Sequence, residues 1–143
     1  MLDIVTSEFI RVRYGETDQM GHAYYGNYLL WYEQARGAWF RDRGLLYKDL
    51  EAEGCKLPVV EVWSRYSGEV KYDDDIEIQV RLTEIKRAAI KFEYDVINKT
   101  TGQECTSGYT WHVLVGKEMK AISFPDDLKA KFERNPAEHE RLD

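Results

Sequence analysis

The sequence predicts an α+β fold in which one long central helix is wrapped by a curved antiparallel β-sheet. Two observations carry that prediction. The window from Asn27 to Arg43 holds apolar side chains on nearly every helical face, so it needs cover on more than one side. The windows after about Leu57 are mostly two-residue alternations separated by short turns, the pattern of consecutive antiparallel strands. A chain of 143 residues with no linker, repeat or low-complexity tract fits a single domain, 1–143.

From Glu8 to Glu16, Phe9, Arg11 and Arg13 alternate with Ile10, Val12 and Tyr14, which predicts a strand with the latter three on its core face. Residues 17–26, T-D-Q-M-G-H-A-Y-Y-G, form a polar loop in which Gly21 and Gly26 permit unusual backbone. The helix follows, with Asn27 as its N-cap and Gly44 as its stop. Its buried stripe is Leu29, Tyr32, Ala35, Arg36, Trp39 and Phe40; Leu30, Trp31 and Ala38 add apolar area on other faces.

The remainder reads mainly as strands. A long one runs from about Leu57 to Tyr72. Ile76 to Lys86 points Ile76, Ile78, Val80, Leu82 and Ile85 inward and Glu77, Gln79, Arg81 and Thr83 outward. Arg87-Ala88 is a turn, Ala89 to Asn98 alternates through Ile90, Phe92, Tyr94 and Val96, and Lys99 to Gly102 turns again. Glu104 to Val115 is the next strand, with a short last one near Met119 to Ile122. Pro125-Asp126-Asp127 opens a terminal helix that docks Leu128 and Phe132, and the charged tail after Arg134 is expected to fray.

Charge and composition narrow the function. The net charge of -6, the acidic run Asp73-Asp74-Asp75 and the lack of a Lys/Arg cluster argue against nucleic acid as partner. Cys55 and Cys105 stand far apart without metal-ligand spacing, which fits a reducing compartment and no bound metal. No apolar run is long enough to span a membrane, and the first residues do not read as a signal peptide, so the expected location is cytoplasmic. Ten Tyr and four Trp in so short a chain point to broad half-polar surfaces, such as a subunit interface or a ligand cleft.

Arg11 to Arg36 reads R-V-R-Y-G-E-T-D-Q-M-G-H-A-Y-Y-G-N-Y-L-L-W-Y-E-Q-A-R. A strand ending in Tyr, then T-D-x-x-G, then Asn-Tyr-Leu at a helix start, then Glu and Arg on that helix, resembles the opening motif of the 4-hydroxybenzoyl-CoA thioesterase-like hotdog proteins. The likeness extends over about residues 8–123. It implies a hotdog fold, dimers joined sheet edge to sheet edge and often paired into tetramers, and an active site between protomers. It implies a thioesterase acting on acyl-CoA or acyl-carrier-protein thioesters, with coenzyme A as part of the substrate and no separate cofactor. The catalytic carboxylate of the family falls on Asp18. The chain departs from the branch associated with the bacterial Tol–Pal system, which often has His where Tyr25 stands; Ser67 to Tyr72 replaces a segment near the active site that usually carries a Pro-Ala turn, and is still expected to wall the acyl or pantetheine slot.

Thioester hydrolysis requires an activated water or a carboxylate nucleophile, and donors for the developing oxyanion. Asp18 can fill either of the first two roles, though a lone Asp between glycines also suits a plain turn. The backbone N–H groups of Tyr25, Gly26 and Asn27, at the helix N-terminus, suit the carbonyl oxygen. His22 is a candidate substrate contact on the loop. Tyr14 is a candidate pocket wall, or else a buried strand tyrosine. Arg65, Lys86 and Arg87 are candidate contacts for the nucleotide phosphates. Glu33 and Arg36 are spaced to pair on the helix. Tyr109, Trp111 and His112 on the late strand are expected to serve packing or an interface, in a homo-oligomer that is at least a dimer and, by the family's habit, a tetramer. Two other readings stay open: a non-catalytic acyl-thioester binding module, and a hotdog dehydratase or hydratase.

Overall fold

Strict alternation at Ile76, Ile78, Val80 and Leu82, each at most 1% exposed, puts one face of a strand wholly into the core. The computed structural model describes residues 4–134. The chain order is β1 (Thr6–Arg11), a 3-10 turn (Tyr14–Glu16), α1 (Asn27–Asp42), α2 (Tyr47–Ala52), β2 (Val59–Tyr66), β3 (Asp75–Ile85), β4 (Ala89–Asn98), β5 (Gln103–Val113), a second 3-10 turn (Lys117–Met119) and α3 (Asp126–Phe132). The strands form one antiparallel sheet in the order β1-β3-β4-β5-β2, so β1 and β2 are its edges. This is the hotdog arrangement: α1 lies along the sheet's concave face.

The helix is held by a nearly continuous apolar contact. Tyr28, Trp31, Tyr32, Ala35, Trp39 and Phe40 are buried, and each large one contributes about 1.5–3 kcal/mol through area removed from water. The Tyr32 ring stacks on Tyr94 with centroids 4.3 Å apart. The approach is close because β5 carries Gly108 opposite it: a Cβ there would lie 2.7 Å from the Tyr32 hydroxyl and 2.7 Å from the Trp63 carbonyl oxygen.

A polar row crosses this apolar layer. Arg36, 6% exposed, donates from Nη1 to the Tyr94 hydroxyl at 3.0 Å instead of pairing with the exposed Glu33. Tyr94 and Thr110 are linked at 2.7 Å, Thr110 and His112 Nε2 at 2.8 Å, and His112 Nδ1 and the Leu57 carbonyl at 3.1 Å. Because Arg36 only donates, the row has one self-consistent direction. Tyr94 donates to Thr110, Thr110 donates to Nε2, and a neutral His112 donates from Nδ1 to Leu57. Burial, then the nearby Arg36 charge, pushes the imidazole down to about 4 against the pull of the Leu57 carbonyl.

Several expectations change. Tyr14 is not on a strand: β1 ends at Arg11, Tyr14 opens the 3-10 turn, and its ring is 77% exposed, edge-on to Tyr72. Val12 is the last inward residue there. The N-cap of α1 is Gly26, and Asn27 is the first helical residue. Leu29 belongs to the exposed side of α1, and Tyr28 and Trp31 take its place in the buried stripe. The last strand is reduced to a single bridge between Val115 and Ala121, because Glu118 and Met119 adopt positive φ and turn the chain. Helix α2 has no counterpart in the sequence reading. Helix α3 docks Leu128 and Phe132 as expected. The tail expected to fray lies outside the described residues.

Candidate active site

Loop 17–26 closes on itself before it meets the helix. The Asp18 N–H donates to the His22 carbonyl at 2.8 Å, and the Gly21 N–H donates back to the Asp18 carbonyl at 2.9 Å. Gly21 sits at φ +83°, where a side chain would be strained. The Asp18 carboxylate makes an Asx-type contact, Oδ1 accepting from the Met20 N–H at 2.9 Å. Its other oxygen has no hydrogen-bond partner among the described residues. The loop is thus rigid at the base of Asp18, and one carboxylate oxygen is left for other work.

Glu16 fixes the loop to the helix, a role not foreseen from the sequence. Its carboxylate, 8% exposed, accepts from the Arg13 N–H at 2.8 Å and from Trp31 Nε1 at 2.7 Å. Its backbone carbonyl accepts from the Tyr24 N–H at 2.8 Å and from Asn27 Nδ2 at 2.7 Å. Burial works to raise the Glu16 carboxyl. The hydrogen bonds from the Arg13 backbone, Trp31 and the Arg13 side chain, with the Arg13 charge, outweigh it and hold the group below the usual carboxylate range. Glu16 thus reaches back three residues to the Arg13 N–H, the acidic half of a capping box, and lies 3.4 Å from Arg13 Nε.

The opposite wall comes from the segment after β2. Ala23 N–H donates to the Val70 carbonyl at 2.7 Å, and His22 bridges Lys71. A cleft of about 210 Å³ opens between loop, helix start and this segment, lined by Asp18, His22, Ala23, Tyr25, Tyr28, Tyr66, Gly68, Glu69 and Val70. Tyr66 donates its hydroxyl to the Tyr25 carbonyl at 3.2 Å and sits edge-on to Tyr28 at 5.0 Å. Burial pushes the Tyr28 phenol up to about 12, so it stays a neutral group at neutral pH. His22 Nε2 lies 3.3 Å from Glu69 Oε1, and Lys71 Nζ lies 3.7 Å from Glu69 Oε2.

The structure therefore gathers Asp18, His22 and Tyr25 in one cleft with Gly26 and Asn27 beside it at the start of α1. Of the three backbone donors expected there, the Asn27 N–H is already used by the Tyr24 carbonyl at 2.9 Å. The Tyr25 and Gly26 N–H groups have no partner among the described residues. Tyr14 flanks the loop from outside. Arg65 is the neighbour of Tyr66 on β2, opposite Ser107. Lys86 and Arg87 are not in this cleft. They follow the far end of β3, whose eleven residues span about 35 Å at a strand's rise. Lys86 covers the Trp111 ring at 4.9 Å, and Arg87 donates to Ser123 Oγ at 2.9 Å. Ala23, Tyr28 and Tyr66 are the cleft residues given no site role from the sequence, whereas Gly68, Glu69 and Val70 belong to the segment expected to wall the slot. A smaller cavity of about 90 Å³ beneath α2 and α3 contains none of the expected residues.

Among the described residues no group of three or more His, Cys, Asp or Glu could hold a metal ion. Comparison with known proteins agrees with the motif and the sheet order. The sequence profile of the thioesterase-like superfamily matches residues 12–132. The chain belongs to the thioesterase-like superfamily. Within it, the chain is 34% identical to YneP of Bacillus subtilis over 121 residues, 84% of this chain and 87% of that one. It is 32% identical to the acyl-CoA thioesterase YbgC of Haemophilus influenzae over 133 residues, 92% and 97% of the two chains. The DHNA-CoA thioesterase of Staphylococcus aureus superposes with a TM-score of 0.86 at 25% identity, covering 97% of this chain and 95% of that one.

Proposed function

We propose that this superfamily member hydrolyses acyl-CoA thioesters to the free acid and thiol, with Asp18 as the general base or nucleophile. The carrying observation is the convergence of three elements on one cleft: a carboxylate oxygen and two backbone N–H groups at a helix N-terminus that have no partner among the described residues, and an open tyrosine-lined slot. The carbonyl oxygen of the thioester sits on the Tyr25 and Gly26 N–H groups, where the positive end of the α1 dipole favours developing negative charge. Asp18 removes a proton from the attacking water, or attacks the carbonyl carbon itself. The thioesterase names of the relatives support the reaction class and coenzyme A as carrier; an acyl-carrier-protein thioester presents the same bond to the same cleft.

The working unit in this reading is at least a dimer. Strand β2 leaves one sheet edge unpaired, and Val59, Val60, Val62, Trp63 and Tyr66 on it are 42–59% exposed. Leu29 and Leu30 on α1 add exposed apolar surface. A second copy laid along β2 would pair the free backbone groups, cover these side chains and wall the cleft. No helix of the described residues is long and apolar enough to cross a membrane. Two free cysteines suit the cytoplasm, where we place the protein.

The test is thiol release from a panel of acyl-CoAs. Asp18→Asn should keep fold and assembly and lower turnover at least about a hundredfold. Near-wild-type turnover would end the assignment to Asp18. Turnover absent from the wild-type chain with every thioester would favour a binding module, and hydration of an enoyl thioester would favour a hydratase. Wild-type activity should survive exhaustive chelation.

A further inference from the structure

We infer that His22 and Glu69 work as a pair that protonates the departing thiolate, with His22 the acid and Glu69 its positioning residue. The inference rests on the thioesterase reading above and concerns a step to which Asp18 does not contribute. An alkyl thiolate such as that of coenzyme A leaves more readily when it is protonated as the C–S bond breaks. Among the residues lining the cleft, His22 is the one imidazole, a group whose two ring nitrogens can give and take a proton.

Its placement fits the task. The antiparallel bridge between His22 and Lys71 ties the backbone of the loop to the segment carrying Glu69. The Asp18 N–H to His22 carbonyl bond ties the same residue to the base of Asp18. The imidazole is thus held against both sides of the cleft through its main chain, while its ring remains about one-third exposed. Nε2 faces Glu69 Oε1 at 3.3 Å. In the imidazolium that nitrogen donates to the carboxylate, which leaves Nδ1–H for the substrate. The charged neighbours are Asp18 on its own loop, and Glu69 and Lys71 on the opposite segment. Tyr25 and Tyr28 face the cleft from the start of α1, and Tyr66 from β2. Lys71 Nζ lies 3.7 Å from the second Glu69 oxygen, so Oε2 faces Lys71 while Oε1 faces the ring.

The step balances without any further reactant. The water oxygen bonds to the carbonyl carbon as Asp18 takes the water proton. The C–S bond then breaks, its electron pair remains on sulfur, and sulfur takes the proton from His22 Nδ1. Asp18 returns a proton to solvent and His22 takes one back, so thioester and water become acid and thiol. If Asp18 attacks as a nucleophile instead, its oxygen bonds to the carbonyl carbon as the same C–S bond breaks, His22 protonates the sulfur, and water then hydrolyses the acyl–Asp18 anhydride to the acid and the free carboxylate.

The experiment compares two leaving groups on one acyl chain: the coenzyme A thioester, and a thiophenyl ester whose thiolate is stable without a proton. His22→Gln should slow the coenzyme A ester at least about tenfold more than the thiophenyl ester. Asp18→Asn should slow both alike. Glu69→Gln should lower kcat more than it raises KM on the coenzyme A ester, because the ring loses the acceptor that orients it. Glu69→Asp should restore part of kcat. Equal losses on the two esters in His22→Gln, or a Glu69→Gln loss confined to KM, overturn this inference while leaving Asp18 in place. An inactive wild type, or an active Asp18→Asn, overturns the underlying reading instead.

Discussion

Lowering the pH from 7 to 4.5 should cost the folded state roughly 2 kcal/mol at His112 alone. The unfolded imidazole titrates near its ordinary value of 6.5, whereas burial and Arg36 hold the folded one at about 4. Between those values the unfolded chain binds the proton and the folded chain does not, so stability falls as pH falls through the window. Each unit of difference is about 1.4 kcal/mol, and the window from 6.5 to 4.5 spans about two of them. The geometry gives the reason. A proton on Nε2 would face the Thr110 hydroxyl, reverse Thr110 and Tyr94, and set the Tyr94 O–H against the Arg36 donor. Urea unfolding at several pH values, in wild type and His112→Gln at one protein concentration, isolates the group. The variant will be less stable at pH 7, but its stability should fall less steeply between pH 6.5 and 4.5. Parallel slopes in the two proteins would refute the reasoning.

Glu16 acts in the same direction at lower pH. Its folded carboxyl is held below the ordinary value, so it stabilises the fold above about pH 4.5 and that contribution is lost as pH falls through its folded value. Glu16→Gln should therefore unfold at lower urea by about 1–2 kcal/mol at pH 7, with the gap closing in acid; a constant gap would contradict it. Val62→Asp, on the exposed inner side of β2, should give a monomer by sedimentation that keeps its far-UV spectrum and loses turnover. A dimer with full activity would move the contact away from β2. Asp18→Asn and the His22 and Glu69 variants test the chemistry as set out above.

The sheet was legible because its signal is local. At Ile76 to Leu82 and at Ile90 to Val96 the alternation alone names the buried residues, and all of them are buried. The helix was legible in extent but not in rotation. Leu29 and Trp31 are both apolar, and only the path of loop 17–26 decides that Trp31 meets Glu16 beneath the helix. Tyr14 was misplaced because alternation continues in the sequence past Arg11, where the 3-10 turn closed by the Arg13 N–H to Glu16 carboxylate bond takes over from the strand. Within the cleft, Asp18 and His22 came from a motif of fixed spacing. Glu69 lies 47 residues beyond His22; the family pattern marked its segment as a wall of the slot, but the contact with His22 exists only once the chain folds back. Lys86 and Arg87 show the converse: positive charge is visible in a sequence, but not that it falls at the end of β3 away from this cleft.

The polar row from Arg36 to the Leu57 carbonyl also limits how this sequence can drift. Four side chains from a helix and two strands share one chain of donors that runs in a single direction. Exchanging any one of them for an apolar residue strands its neighbours in a dry layer, at about 1–3 kcal/mol for each polar group left alone. Exchanging the set together removes the burden along with the bonds. Substitutions at residues 36, 94, 110 and 112 are therefore coupled, and a lineage passing from this core to an apolar one crosses a less stable intermediate at each single step.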